Sequence, residues 1–401
     1  MGRSKRPVSC QRAAGWCKAV GKSAEIPLGV AFLKHSRERR VRPVQRKALL
    51  DAVRAFSREN AELEVVPRIF TPSIPFGIEG VFYDAGEGGD TMLDRPMDIL
   101  QAFPVRKSKT QKQKFRDAVQ SYISRLGYTA AVERGSLGCR NVVIGNPETA
   151  QYLITAHYDT CARLPIPNLI TPCNFWLFIG YQLVLTLVML LLPMIPGALA
   201  GALAGSFDVG YCVWFLGVWA VIGLMLFGPA NPSNVNDNTS GVITLLEIAA
   251  SLPEGQRGKV CFVLFDLEEA GLIGSAAYRK AHKKASYGQL VLNLDCVGDG
   301  DHIRMFPTKK LKKDRKKLTS LYKACGYFGK KDMLVQEKGF SVYPSDQANF
   351  PYGVGICALR KKGKTLYLSR IHTPKDTVLE ETNVNILRAA LITFITCGAA
   401  Q

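Results

Sequence analysis

Residues 164–236 of this chain carry a single charged side chain, Asp208. Soluble domains are about one quarter charged, so a stretch this bare has to be covered by something other than water. Two segments within it, 174–195 (NFWLFIGYQLVLTLVMLLLPMI) and 209–228 (VGYCVWFLGVWAVIGLMLFG), are each long enough to cross a hydrocarbon layer of roughly 30 Å as a helix. The link between them, 196–208, is short and rich in Gly and Ala. We read a transmembrane helical hairpin that enters and leaves a bilayer on one side. A pair of fully buried core helices satisfies the same pattern. Trp176, Trp214 and Trp219 near the span ends favour the bilayer.

The link has no Lys or Arg, whereas the chain as a whole has 52 against 33 Asp+Glu, a net charge of +19. The tendency of positive charge to stay inside therefore puts the main domain on the cytoplasmic face of the cell membrane, as a two-span protein. No uninterrupted apolar run precedes Lys34, so no cleavable signal peptide is expected. Eleven cysteines, an odd number without paired spacing, fit a reducing compartment better than a disulfide scaffold. With 47% hydrophobic and 21% charged residues, a disordered or fibrous chain is excluded. The positive balance suits anionic lipid or nucleic acid. No aromatic–basic motif accompanies it, so no nucleic acid partner is expected. Basic runs at 279–284, 309–317 and 361–364 are candidates to rest on anionic lipid, and a solvated loop or helix face explains them equally well.

Residues 1–96 read as a basic N-terminal extension, poorly ordered, with a short helix near 45–56 and a linker at 84–95. The functional unit is then 97–163 and 233–401, with 164–232 as the hairpin insertion. Phe115, Val119, Tyr122, Ile123 and Leu126 recur at helical spacing, predicting an amphipathic helix over 109–126. Short apolar runs follow: strands at 141–144, 152–156, 259–266, 290–295, 355–359 and 365–369, with helices at 241–251, 270–280 and 382–396. Strands without alternation, separated by helices, predict an α/β sheet covered on both faces.

Chemistry-bearing side chains collect where these apolar runs end, which is where open α/β sheets place their sites. His157 ends one run, and Asp159 projects to the same side, placed to orient the imidazole. Asp237 precedes a helix, a position where an ordinary cap is also expected. Glu268 and Glu269 follow the strand KVCFVLFD, and two adjacent carboxylates there are costly unless a cation sits between them. Asp295 follows LVLNL, and His372 lies in RIHT. Singly, each has a structural explanation; together they form a nitrogen and oxygen donor set suited to zinc with a position left for water.

The order HYD, NDNTSG, DLEEAGLIGSAAY, NLD, SDQANF, IHTPKD resembles metallopeptidase family 28, the co-catalytic di-zinc aminopeptidases of clan MH, from Asp98 to the C-terminus apart from the hairpin. The resemblance implies a zinc-exopeptidase-like three-layer α/β/α sandwich with a mixed, mostly parallel sheet. It implies two zinc ions bridged by Asp237, one completed by His157 and Asp295, the other by Glu269 and His372. Glu268 matches the general base and Asp159 the partner of the first His. Peptides are the implied substrates, cut one residue at a time from the N-terminus. Carboxypeptidase-like members and glutaminyl cyclases share the fold, the cyclases with one zinc, and a non-catalytic interaction protein that retains the fold is a further alternative. Two departures stand out. Gln347 occupies the place of the His in the family's SDH, and the family's oxyanion-stabilising Tyr has only an offset counterpart, Tyr343. The substrate preference and the oligomeric state are not readable from the sequence.

Overall fold

A computed structural model of the chain describes residues 93–164, 168–337, 339–368 and 370–398. The expectations for an N-terminal extension lie outside these residues, save its last few positions, where Leu93 and Pro96 are buried.

Ten strands form one sheet: β1 Ala130–Arg134, β2 Arg140–Ile144, β3 Tyr152–His157, β4 Val260–Phe265, β5 Leu290–Leu294, β6 His302–Pro307, β7 Gly326–Phe328, β8 Lys331–Val335, β9 Gly353–Lys362 and β10 Thr365–Tyr367. They lie in the order β1-β2-β4-β3-β5-β9-β6-β8-β7, with β10 against β9. The central four, β4-β3-β5-β9, are mutually parallel, and antiparallel strands extend both edges. Every residue of β4 and β5 is buried, as unalternating sequences such as VCFVLF require when both faces are covered.

The two-residue period of β4 divides its side chains cleanly. Val260, Phe262 and Leu264 face a core shared with helices α1 (Lys109–Arg125), α5 (Ser240–Ser251) and α7 (Glu381–Gly398). Cys261, Val263 and Phe265 face a second core with Tyr278 of α6 (Ile273–Ala281). The result is the expected three-layer sandwich. Two differences concern the edges. Helix α6 starts three residues later than the periodicity predicts, because Gly271 and Leu272 adopt left-handed backbone (φ 108° and 60°) and close a turn first. Strands β1, β6, β7 and β8 were not expected.

The apolar insertion forms three helical pieces: α2 Phe175–Leu191, α3 Met194–Ala204 and α4 Phe207–Phe227. The segment read as a link is therefore mostly helix. Pro193 is the N-cap of α3 and Pro196 falls in its first turn, where a missing N–H costs little, so the Ala-rich stretch continues as a helix after a break. α3 packs directly on α4. Gly197 and Gly201 meet Gly210 so closely that a Cβ on Gly197 would lie 2.9 Å from the Gly210 carbonyl. The Trp214 indole donates to Leu190 O at 2.9 Å. No residue of α4 is buried, unlike the core helix α5. By length and composition, 175–204 and 207–227 are both able to cross a membrane.

Candidate metal centre

Strands β3, β4 and β5 are parallel neighbours, so the residues after their carboxyl ends meet at one edge of the sheet. His157 closes β3, Glu268 and Glu269 follow β4, and Asp295 follows β5. Asp237 comes from the turn before α5, and His372 from the loop after β10. All five ligand candidates and Glu268 thus converge. His157 Nε2 lies 3.3 Å from Asp237 Oδ1, 3.7 Å from Asp295 Oδ1 and 4.0 Å from Glu268 Oε2. His372 Nε2 lies 2.9 Å from Asp237 Oδ2 and 3.4 Å from Glu269 Oε2. The two oxygens of Asp237 therefore face two different imidazoles.

The surroundings fix this geometry. Asp159 sits 3.5 Å from His157 Nδ1, and its carboxylate accepts from the backbone N–H groups of Glu268 (3.1 Å) and Glu269 (3.3 Å). One carboxylate thereby ties the end of β3 to the turn after β4. Asp376 accepts from the N–H groups of Asn236 (2.8 Å) and Asp237 (3.0 Å), holding the Asp237 turn. Asn238 bridges from that turn to the end of β5, donating to Leu294 O and accepting from Cys296 N–H. Leu267, Cys296, Arg370 and His372 are non-glycine residues with φ between 56° and 69°, each beside or at a ligand candidate. Backbone of this kind is retained where a site needs it.

Arg106 was not singled out in the sequence and is fully buried. Its guanidinium donates to Tyr158 O (2.6 Å), Phe103 O (2.6 Å), Asn234 Oδ1 (3.1 Å) and Thr239 Oγ1 (2.9 Å), clamping the His157 and Asp237 segments together. Burial lowers its pKa to about 10, against the nearby charge of Asp159.

Asp159, Asp237, Glu268, Glu269, Asp295 and Asp346 crowd together with two imidazoles. Burial lifts the Glu268 carboxyl well above its ordinary range, His157 opposing and Glu269, Asp346 and Asp295 adding to the rise. Burial likewise lifts Glu269 to about 8 and Asp346 to about 7. His372 rises to about 9 because Glu269 and Asp237 outweigh the effect of burial. Such a cluster requires protons or cations in its midst. Glu269 Oε1 and Asp295 Oδ1 are buried without a hydrogen-bond partner. Unsatisfied carboxylate oxygens beside the Nε2 atoms of two imidazoles fit a zinc-like cation.

Sequence reasoning also missed Cys161, whose sulfur lies within 4.8 Å of donor atoms of Glu269 and His372. The signal was its place four residues after His157, on the alternation that brings Asp159 to the site. Gln347 and Tyr343 serve the scaffold. The Gln347 amide bonds Tyr343 O (2.7 Å) and Asn293 (3.1 Å), and the Tyr343 hydroxyl donates to Asp295 O (3.0 Å).

The hairpin's feet adjoin the centre. Ala162 and Ala230 form a bridge, Arg163 N–H donates to Pro229 O (2.9 Å), and Leu164 N–H donates to His372 O (3.1 Å). Lys316, Lys317 and Lys323, by contrast, line a cavity of 530 Å³ with Tyr152 and Leu290, the first residues of β3 and β5. Part of the 309–317 run is thus at the opposite end of the sheet from the hairpin, which removes it as a lipid contact beside the site. Lys361 and Lys362, which end β9, and Lys364, in the turn after it, are at the hairpin end.

Fold and site together place a nitrogen and oxygen donor set, able to hold metal ions, at the carboxyl edge of a parallel α/β sheet. Residues 225–394 match the family described as Peptidase family M28. His157 lies before the matched stretch, on the far side of the insertion. No curated protein matches the chain. Among solved structures it resembles the LapA aminopeptidase of Legionella pneumophila at 14% identity and a TM-score of 0.47, covering 76% of this chain and 70% of that one. A Zn-dependent exopeptidase from Parabacteroides distasonis matches at 17% identity and TM-score 0.45 (75% and 94% covered), and a glutaminyl cyclase from Porphyromonas gingivalis at 15% and 0.45 (74% and 94%). Likenesses this distant say nothing about activity.

Proposed function

We propose that the chain is a membrane-anchored, zinc-dependent exopeptidase that removes N-terminal residues from peptides, with its catalytic domain facing the cytoplasm. The observation that carries the reading is Asp237, whose two oxygens face His157 and His372 at 3.3 and 2.9 Å, as a bridge between two cations requires. His157 and Asp295 would hold one zinc with Asp237, and Glu269 and His372 the other. When bound, such ions acidify a water and polarise the scissile carbonyl. A cyclase-like role needs only one of the two donor groups, so the completeness of the second favours a peptidase.

The chain's own groups supply the rest. Glu268, beside the ligands and outside both sets, accepts the proton of the attacking water and returns it to the leaving amine. Asp159 orients His157 and, by holding the backbone of 268–269, sets where the Glu268 carboxylate points.

The anchoring part of the reading rests on the exposed apolar faces of α2 and α4. Trp176 and Phe227 are each 79% exposed at the feet, and Phe340, at 82%, lies against Phe175. Aromatic rings at such a level suit a membrane interface. The test is Glu268→Gln in the purified protein: turnover falls by at least about a hundredfold while bound zinc is unchanged. Activity that survives the change removes Glu268 as the base.

A further inference from the structure

Cys161 ends the extended segment that also supplies His157 and Asp159. It is 2% exposed, and its carbonyl accepts from Asn231 N–H at 3.0 Å, which fixes the residue against the returning end of the hairpin. Its sulfur, a Glu269 oxygen and a His372 nitrogen all lie within 4.8 Å of one another. Glu269 Oε2 lies 3.4 Å from His372 Nε2, and Glu269 Oε1 has no hydrogen-bond partner. Asp237 Oδ2 adjoins the same imidazole at 2.9 Å. The group around His157 contains only nitrogen and oxygen donors.

From this asymmetry we infer that Cys161 is a thiolate ligand of the second metal position, completing an Asp237, Glu269, His372 and Cys161 set with one soft donor. The inference rests on the two-metal reading above. Binding replaces the S–H bond by a metal–sulfur bond, and the thiol proton leaves to solvent. The two positions then differ in kind. The sulfur-bearing one prefers zinc, cobalt or cadmium over magnesium or manganese, and the His157 position is the less selective. The donor comes from the residue where the hairpin joins the domain, so the metal also ties the anchor's base to the His372 loop.

The test uses the full-length protein in detergent, stripped of metal by chelator and titrated with Co2+. Two equivalents bind, and one produces a thiolate-to-cobalt charge-transfer band in the near ultraviolet. Cys161→Ser loses that band, keeps the visible cobalt absorption, and yields one equivalent to chelator about tenfold or more easily than wild type. Cys296→Ser, beside Asp295 but outside every donor group, keeps the band. Two bound cobalt ions with no band, or a band unchanged in Cys161→Ser, overturn the inference and leave the two-metal reading intact. Failure to bind cobalt at all overturns both. Should Cys161→Ser not fold, Cys161→Ala is titrated with Co2+ in the same way: loss of the band is expected, and a band unchanged in it refutes the assignment.

Discussion

Arg106→Met removes the buried cation that braces the candidate metal centre. The substitution keeps a long apolar stem and removes the guanidinium, whose four bonds join the 103–106 segment, the end of β3 and the Asp237 turn. Asn234 and Thr239 retain each other, since the Thr239 hydroxyl donates to Asn234 Oδ1 at 2.9 Å. Tyr158 O and Phe103 O lose their 2.6 Å donors inside the protein. Each buried acceptor left unpaired costs about 1–3 kcal/mol. Removing a buried charge returns part of this, as its lowered pKa indicates, so the net loss is about 2–4 kcal/mol. For a unit of this size that corresponds to a melting temperature lower by roughly 5–10 °C, read by circular dichroism in detergent. Zinc affinity falls as well, because the His157 and Asp237 segments are no longer held in register. Arg106→Lys, which keeps the charge without the fork, lies between the two. An unchanged melting temperature in Arg106→Met refutes the reasoning.

Two further outcomes follow from the structure. Arg163 and Pro229 are already hydrogen-bonded, so replacing 165–228 with a short Gly/Ser turn yields a soluble protein that still cleaves short peptides; recovery in the membrane fraction sinks the anchor assignment. Burial opposes the charge on His282, but Glu148 (2.8 Å) and Glu133 (3.0 Å) outweigh it and raise the pKa above 6.5. This stabilisation is complete below 6.5 and is lost as pH climbs through the raised value. A Glu133→Gln, Glu148→Gln double variant therefore loses a small part of the melting temperature at pH 6 and nothing at alkaline pH, and the reverse pattern contradicts the pairing.

The central sheet was legible because β3, β4 and β5 are short, unbroken apolar runs, and their carboxyl ends carried the acidic and imidazole side chains. Strands β6 (HIRMFP) and β8 (KDMLV) were missed because polar side chains interrupt them near the sheet's edge, where Arg304 and His302 pair with Asp332. Arg106 sits in a basic stretch, VRKSK, that reads as surface, and only the fold shows that the first of these cations turns inward. Cys161 was obscured for another reason: its place on the His157–Asp159 alternation gives a thiol no role until Glu269 and His372, over a hundred residues away in sequence, arrive beside it. The helix at 194–204 was hidden by two prolines that read as a break and act as a start.

The most direct test of the account is hydrolysis of a mixed peptide pool by the zinc-loaded, detergent-solubilised protein, followed by mass spectrometry. Half of the pool has free N-termini and half acetylated, and each is run with and without chelator. The account predicts chelator-sensitive loss of single N-terminal residues from the free peptides alone. Cleavage that ignores the chelator, or that takes acetylated peptides equally well, contradicts a two-metal aminopeptidase.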